Sequence, residues 1–301
     1  GINAEYGEMQ SIPKFLWLVL LFPISIFLLR SNLKKNLAAV RGAVVITGAS
    51  SGIGRAFAVF LSKFFPLILV ARRLEELEKL KLELNSKNGV EILKCDLQSP
   101  QECHDLINRL KEQQVGMFVN CAGITHKIPN ELQETDQKEI DQILNLHVQQ
   151  TTYLIKEMNQ QFKKQKHGVF VQMASGLGLT GSPFLAVYAA SKAYQINLIK
   201  SVNAEAEAHN AQFIAACPLW VSTPMTMTKK TTLRFIQPAT FVEKFMNAKW
   251  KNVVNPHWVH RVIVFLLKLN DKWAGRVQWS QQVAVRAKII KKLNKIEKEA
   301  K

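Results

Sequence analysis

The stretch VVITGASSGIGRA, residues 44–56, restricts this chain more than any other. A β-branched run ends at Thr47, three glycines (Gly48, Gly52 and Gly54) follow, and a helical pattern begins at once. Glycines at these places permit a tight turn and bring the N–H groups of a helix N-terminus within reach of a phosphate. Ser50, Ser51 and Ile53 complete the loop. Such a turn needs a strand before it and a helix after it, which commits the chain to an α/β architecture.

The rest of the sequence keeps that rhythm. Apolar runs recur as GAVVI (42–46), LILVA (67–71), EILKC (91–95), GMFVN (116–120), GVFVQMA (168–174) and QFIAAC (212–217). Amphipathic stretches such as RRLEELEKLKLELNSK lie between them. Near-continuous apolar strands alternating with helices specify a parallel sheet covered on both faces. The expectation is a Rossmann-like, doubly wound parallel sheet over residues 42–250, and 48% apolar residues suffice for its core. Dinucleotide folds choose their cofactor at the end of the second strand, where a carboxylate would hold the ribose and exclude a 2′-phosphate. Arg72 and Arg73 stand there instead. A guanidinium is a bidentate partner for phosphate, so NADP(H) is the expected cofactor, with Arg72 its first binder.

Both flanks differ from this central unit. Residues 12–29, IPKFLWLVLLFPISIFLL, carry a single charge at Lys14. As a helix they would span about 27 Å, close to the hydrocarbon thickness of a bilayer. Arg30, Lys34, Lys35 and Arg41 follow, so a single-pass anchor within residues 1–41 would leave the bulk of the chain on the cytosolic side. The other reading is a buried or hairpin-like apolar segment. Residues 251–301 are expected to be helical and basic. Within residues 286–298, Arg286, Lys288, Lys291, Lys292, Lys295 and Lys298 stand against one acid, Glu297, and the whole chain has a formal net charge of +17. Val285, Ile289, Leu293 and Ile296 fall at near-helical spacing, which fits a helix on an anionic membrane or partner surface, or a solvated helix closing the domain. The tail lacks interleaved aromatics, so nucleic acid is not an expected partner. Cys95, Cys103, Cys121 and Cys217 show neither CxxC pairing nor a histidine at ligand spacing, so no metal site and no disulfide framework is expected.

AVYAASKAYQINLIK, residues 186–200, sets Tyr188 and Lys192 four residues apart, on one face of a helix. Taken in order with TGASSGIG (47–54), CDL (95–97), NCAG (120–123), Asn145, Ser175 and YAASK (188–192), this segment makes the chain resemble a short-chain dehydrogenase/reductase over about residues 42–225. The resemblance implies that Tyr188 protonates a carbonyl oxygen as hydride arrives from the nicotinamide. An ammonium about 4 Å away would favour the phenolate by about 4 kcal/mol before desolvation. By the same implication Lys192 holds the nicotinamide ribose, Ser175 binds the substrate oxygen, and Asn145 holds a water beside Lys192. Asp96 would meet the adenine, Asn120, Ala122 and Gly123 would line the cofactor cleft, and Pro218, Val221 and Thr223 would approach the nicotinamide. His147 carries no implied role and reads as an ordinary helix residue.

Cys121 replaces an asparagine of the family pattern, and Leu219 follows Pro218 where the family commonly has glycine, which puts that turn in doubt. The pattern Pro-x-x-Val-Ser-Thr-x-Met (218–225) and the N-terminal apolar segment resemble the membrane-bound branch containing 17β-hydroxysteroid dehydrogenases and very-long-chain 3-oxoacyl-CoA reductases. Residues 224–250 would then form a lid made apolar by Met225, Met227, Leu233, Phe235, Ile236, Phe241, Phe245 and Met246, or these would pack the segment onto the domain. The expected activity is NADPH-dependent reduction of a hydrophobic ketone, a 3-oxoacyl-CoA or steroid-like substrate. The branch implies the endoplasmic reticulum membrane, with a mitochondrial membrane second, and a homodimer or larger membrane complex. The alternative is a structural accessory subunit that keeps the fold and a bound nucleotide.

Overall fold

The computed structural model describes residues 31–226, 228 and 231–299. The anchor expected over residues 12–29 lies outside them. Among the described residues, no helix is long and apolar enough to cross a membrane.

Seven parallel strands form one sheet in the order β3-β2-β1-β4-β5-β6-β7. They are β1 Ala43–Thr47, β2 Leu67–Ala71, β3 Val90–Lys94, β4 Val115–Asn120, β5 Gly168–Met173, β6 Ala211–Ala216 and β7 Val253–Val254. The chain winds outward from β1 to one edge and then restarts at β4, so a crevice opens between the carboxyl ends of β1 and β4. The sheet runs beyond residue 250, because β7 pairs with the end of β6.

Strand pleating sorts the apolar residues onto two faces. On one face Val44, Ile46, Leu69 and Val119 meet α2 (Gly52–Leu61), α3 (Leu74–Leu84) and α8 (Pro238–Asn247) through Phe57, Leu77 and Phe245. On the other, Val45, Ile68 and Phe118 meet α4 (Pro100–Lys111), α6 (Thr151–Gln165) and α7 (Ala186–Ala206). Strand register places Phe118, Phe170 and Phe213 side by side on β4, β5 and β6, with stacked rings 5.2 and 5.5 Å apart. Both faces are therefore dry, as the unbroken apolar runs require.

The described residues also form the helices α1 (Leu33–Ala38), α9 (Trp258–Leu269) and α10 (Asp271–Glu299). Helix α5 (Gln137–Leu144) passes into α6 through one wide turn at Asn145–Gln150, where hydrogen bonds follow the π pattern. Of the apolar residues expected in a lid, Ile236, Phe241, Phe245 and Met246 are core, whereas Leu233 is exposed and Met227 lies outside the described residues.

Candidate active site

The crevice at the carboxyl ends of the strands is a cleft of about 300 Å³. Its floor is built by the glycine loop. Gly48 has φ +62°, and a Cβ there would lie 2.9 Å from the Ala122 nitrogen. A Cβ on Gly54 would lie 2.4 Å from the Gly48 oxygen, so only glycine lets α2 start this close to β1. The free N–H groups at the start of α2 then face a cradle open to an anion. Thr47 holds the neighbouring strand ends together: its hydroxyl donates to Asn120 Oδ1 (2.6 Å) and accepts from Ala122 N (3.1 Å). Asn120 Nδ2 donates in turn to Gln172 Oε1 (2.9 Å).

Of the expected cofactor-binding residues, Ser50, Ser51, Ile53, Arg72, Asp96, Gly123, Pro218, Val221 and Thr223 line the cleft with the three glycines and Ala122. Asn120 is buried beneath it. At the outer end, Arg72 Nη1 stands 3.9 Å from Asp96 Oδ2 and Arg73 Nη2 donates to Ser50 Oγ at 3.0 Å. Two guanidinium groups beside an anion cradle suit a dinucleotide that carries an extra phosphate.

Ser175, Tyr188 and Lys192 come together at the other end. Ser175 follows β5 and accepts from Leu177 N (3.2 Å), which caps the short turn Gly176–Leu179. Lys192 is buried, with Nζ donating to Met173 O (2.9 Å) and Gln195 Oε1 (3.0 Å) and lying 5.7 Å from the centre of the Tyr188 ring. Burial pushes the Tyr188 phenol up to about 12, partly offset by its hydrogen bond with Ser175, and pushes Lys192 down to about 7. The lowering of Tyr188 expected from a nearby ammonium is therefore not what this site does. The ammonium sits over the ring, and desolvation of the phenol outweighs it.

Asn145 turns elsewhere: its Nδ2 donates to Gln98 O (2.8 Å) and its Oδ1 accepts from Gln150 Nε2 (3.1 Å). The residue that does reach the site from this turn is His147, fully buried, with Nε2 accepting from Ile124 N (3.1 Å) and its ring edge-on to Tyr188, 5.8 Å between centres. The doubtful turn is also accounted for. Leu219 packs where a Cβ on Gly176 would fall 2.5 Å from its Cδ2, so Gly176 makes the room and Gly176 N still donates to Pro218 O at 2.7 Å.

A family-level sequence profile for the short chain dehydrogenases matches residues 42–234. The very-long-chain 3-oxoacyl-CoA reductase of Scheffersomyces stipitis is 26% identical over 92% of this chain and 88% of its own. That of Podospora anserina is 29% identical over 88% and 81%. Among solved structures, a short-chain dehydrogenase from Sphingobium yanoikuyae in complex with NADPH superposes with a TM-score of 0.63, at 24% identity over 68% of this chain and 83% of that one. A 7β-hydroxysteroid dehydrogenase gives 0.70, at 17% identity over 83% and 98%.

Proposed function

The chain belongs to the short-chain dehydrogenase/reductase family and is similar within it to the very-long-chain 3-oxoacyl-CoA reductases, and from that premise we propose that it reduces the ketone of a long-chain 3-oxoacyl thioester with NADPH. The observation that carries this reading is the meeting of Ser175, Tyr188 and Lys192 at one end of a cleft whose far end holds Arg72 and Arg73. A nicotinamide bound in the cleft would supply the hydride.

The chain's own residues handle the proton. A phenol held near 12 keeps its proton at neutral pH, as a general acid must, and gives it to the carbonyl oxygen as negative charge builds there. Ser175 donates to the same oxygen and fixes its position. Lys192, cationic below about pH 7, stabilises the phenolate left behind and holds the nicotinamide ribose. Leu219 and Met225 line the cleft and offer an apolar surface to an acyl chain. Residues 12–29 would bring the site to a membrane, where long acyl substrates partition, and the endoplasmic reticulum is the proposed location.

The test offers the membrane-embedded protein a panel of 3-oxoacyl-CoAs and ketosteroids with NADPH or NADH, and follows nucleotide oxidation. NADPH-dependent turnover of the acyl substrates is expected, and Tyr188→Phe should reduce it about 100- to 10,000-fold without loss of nucleotide binding. Failure to bind NADPH, or equal turnover by Tyr188→Phe, would sink the proposal. Preference for ketosteroids would replace the substrate and keep the chemistry.

A further inference from the structure

The wide turn at Asn145–Gln150 carries a contact set that the reaction above does not use. His147 lies there, fully buried, and touches three separate parts of the site. Its Nε2 accepts from Ile124 N at 3.1 Å, in the loop that leaves β4 along the cofactor cleft. Its Nδ1 is 2.9 Å from Ser191 Oγ, whose hydroxyl donates to Tyr188 O at 2.8 Å. Its own carbonyl accepts from Gln195 Nε2 at 3.0 Å, while Gln195 Oε1 accepts from Lys192 Nζ at 3.0 Å.

These bonds fix the proton on the ring. Ser191 has one hydroxyl hydrogen, and the Tyr188 carbonyl takes it. Ser191 Oγ can then only accept from His147, so Nδ1 carries the hydrogen. Nε2 must be bare, because a backbone N–H points at it. A second proton would set two N–H groups against each other with the Lys192 ammonium close by. A Cβ on Gly123 would lie 3.2 Å from Nε2 and 3.7 Å from Lys192 Nζ, so that loop is bare where imidazole and ammonium converge. Burial and Lys192 both hold the imidazole well below its ordinary range, in agreement with the bonding.

We propose that His147 is a positioning residue of the hydride-transfer site, one neutral imidazole and its carbonyl holding the Ile124 loop, the Tyr188 turn and Lys192 in register. The inference rests on the reductase reading, and it assigns His147 no contact with substrate. The Ile124 loop sets the depth of the nicotinamide, the Tyr188 turn sets the acid, and Gln195 ties the ammonium to the same point. Displacing any of these by about 1 Å costs about 100-fold in a transfer that depends on alignment.

The experiment uses the full chain and compares His147→Leu, His147→Gln and Ser191→Ala with the wild type. A glutamine amide reaches about as far as Nε2 and can accept from Ile124 N, whereas leucine cannot. His147→Leu is expected to lower kcat about 100-fold. It should also weaken NADPH binding and raise the primary deuterium isotope effect from the labelled nicotinamide. His147→Gln should recover most of that loss, and Ser191→Ala should move the isotope effect in the same direction if His147→Leu fails to fold. In the wild type without nucleotide, ¹⁵N spectra should show His147 protonated on Nδ1 only at pH 7. The inference is overturned by the opposite tautomer or a cationic ring. It is equally overturned if leucine and glutamine lose activity alike in step with a lower melting temperature, or if leucine leaves kcat and the isotope effect unchanged. A wild type inactive on every ketone would remove the reductase reading, while the tautomer would still decide the clamp.

Discussion

Two guanidinium groups stand at the outer end of the cleft, and they do different things. Arg73 is engaged with Ser50 in the phosphate loop, whereas Arg72 is loosely paired with Asp96 and 59% of its side chain is open to solvent. A charge-assisted bond to a 2′-phosphate contributes about 1.5–3 kcal/mol, so Arg72→Ala should raise the KM for NADPH about 10- to 150-fold and leave that for NADH within a few-fold. Equal effects on both nucleotides would show that Arg72 does not read the phosphate. The place of Arg72 on the cleft was legible because the end of the second strand has a chemical meaning in such sheets. His147 was not. Asn145 and His147 are two positions apart, about 200° around a helix, so only one can face Lys192, and periodicity does not say which. Nor could it show the wide turn that carries them, since one extra backbone hydrogen-bond step leaves no mark in composition. Thr47 had a signal, a hydroxyl at a strand end beside a glycine turn, but its partners Asn120 and Gln172 come from strands far away in sequence.

Helix α10 crosses the segment between Ser175 and α7, just ahead of Tyr188 in the chain. Gln278 Nε2 donates to Thr180 Oγ1 (3.1 Å), Arg286 Nη2 pairs with Glu134 (3.0 Å), and the Trp279 and Phe184 rings lie 4.5 Å apart. Phe184 is buried at φ +62°, a conformation that costs a bulky residue of order 1–3 kcal/mol and persists only when its surroundings impose it. Trp279 covers Phe184, which lies four residues ahead of Tyr188 in the chain. Trp279→Ala should therefore loosen residues 176–185, raise proteolytic cutting there, and raise the ketone KM about 2- to 12-fold through the lost aromatic pair. Unchanged proteolysis and KM would mean that the segment holds Phe184 without help. The six longer strands were readable from their apolar runs, to within a residue at each end. β7 was not, because two residues cannot show a period, and its pairing with β6 depends on how α8 returns the chain. The basic tail pattern likewise named a helix but not its seat on the Phe184 segment.

The molecule as a whole should respond to pH on both sides of neutrality, for reasons that lie in its core. Burial lowers His147, His167, His257 and His260, with His257 brought to about 4 by burial, His260, Lys244 and Arg261. A group depressed in the folded state binds fewer protons there than in the unfolded chain, so the stability it supports is full above about 6.5 and is lost as pH falls. Lys192, brought down to about 7, acts in the same sense from 7 toward 10.5. Opposing it, Cys95, Cys103 and Cys217 are raised from 9.0 to about 12 and Tyr188 from 10.0 to about 12. Groups raised in the folded state support stability below their unfolded values and lose it as pH climbs through the folded ones. The two sets leave a maximum between about pH 7 and 9. The formal charge of +17 steepens the acid limb, since protonating histidines adds to an existing self-repulsion that salt partly screens. Thermal midpoints from pH 4.5 to 10 should trace that maximum, His147→Gln should flatten the acid limb, and added salt should raise it. A midpoint that climbs steadily toward pH 5 would mean that the buried histidines take up protons without cost. The neutral imidazole on which the clamp depends would then be wrong as well.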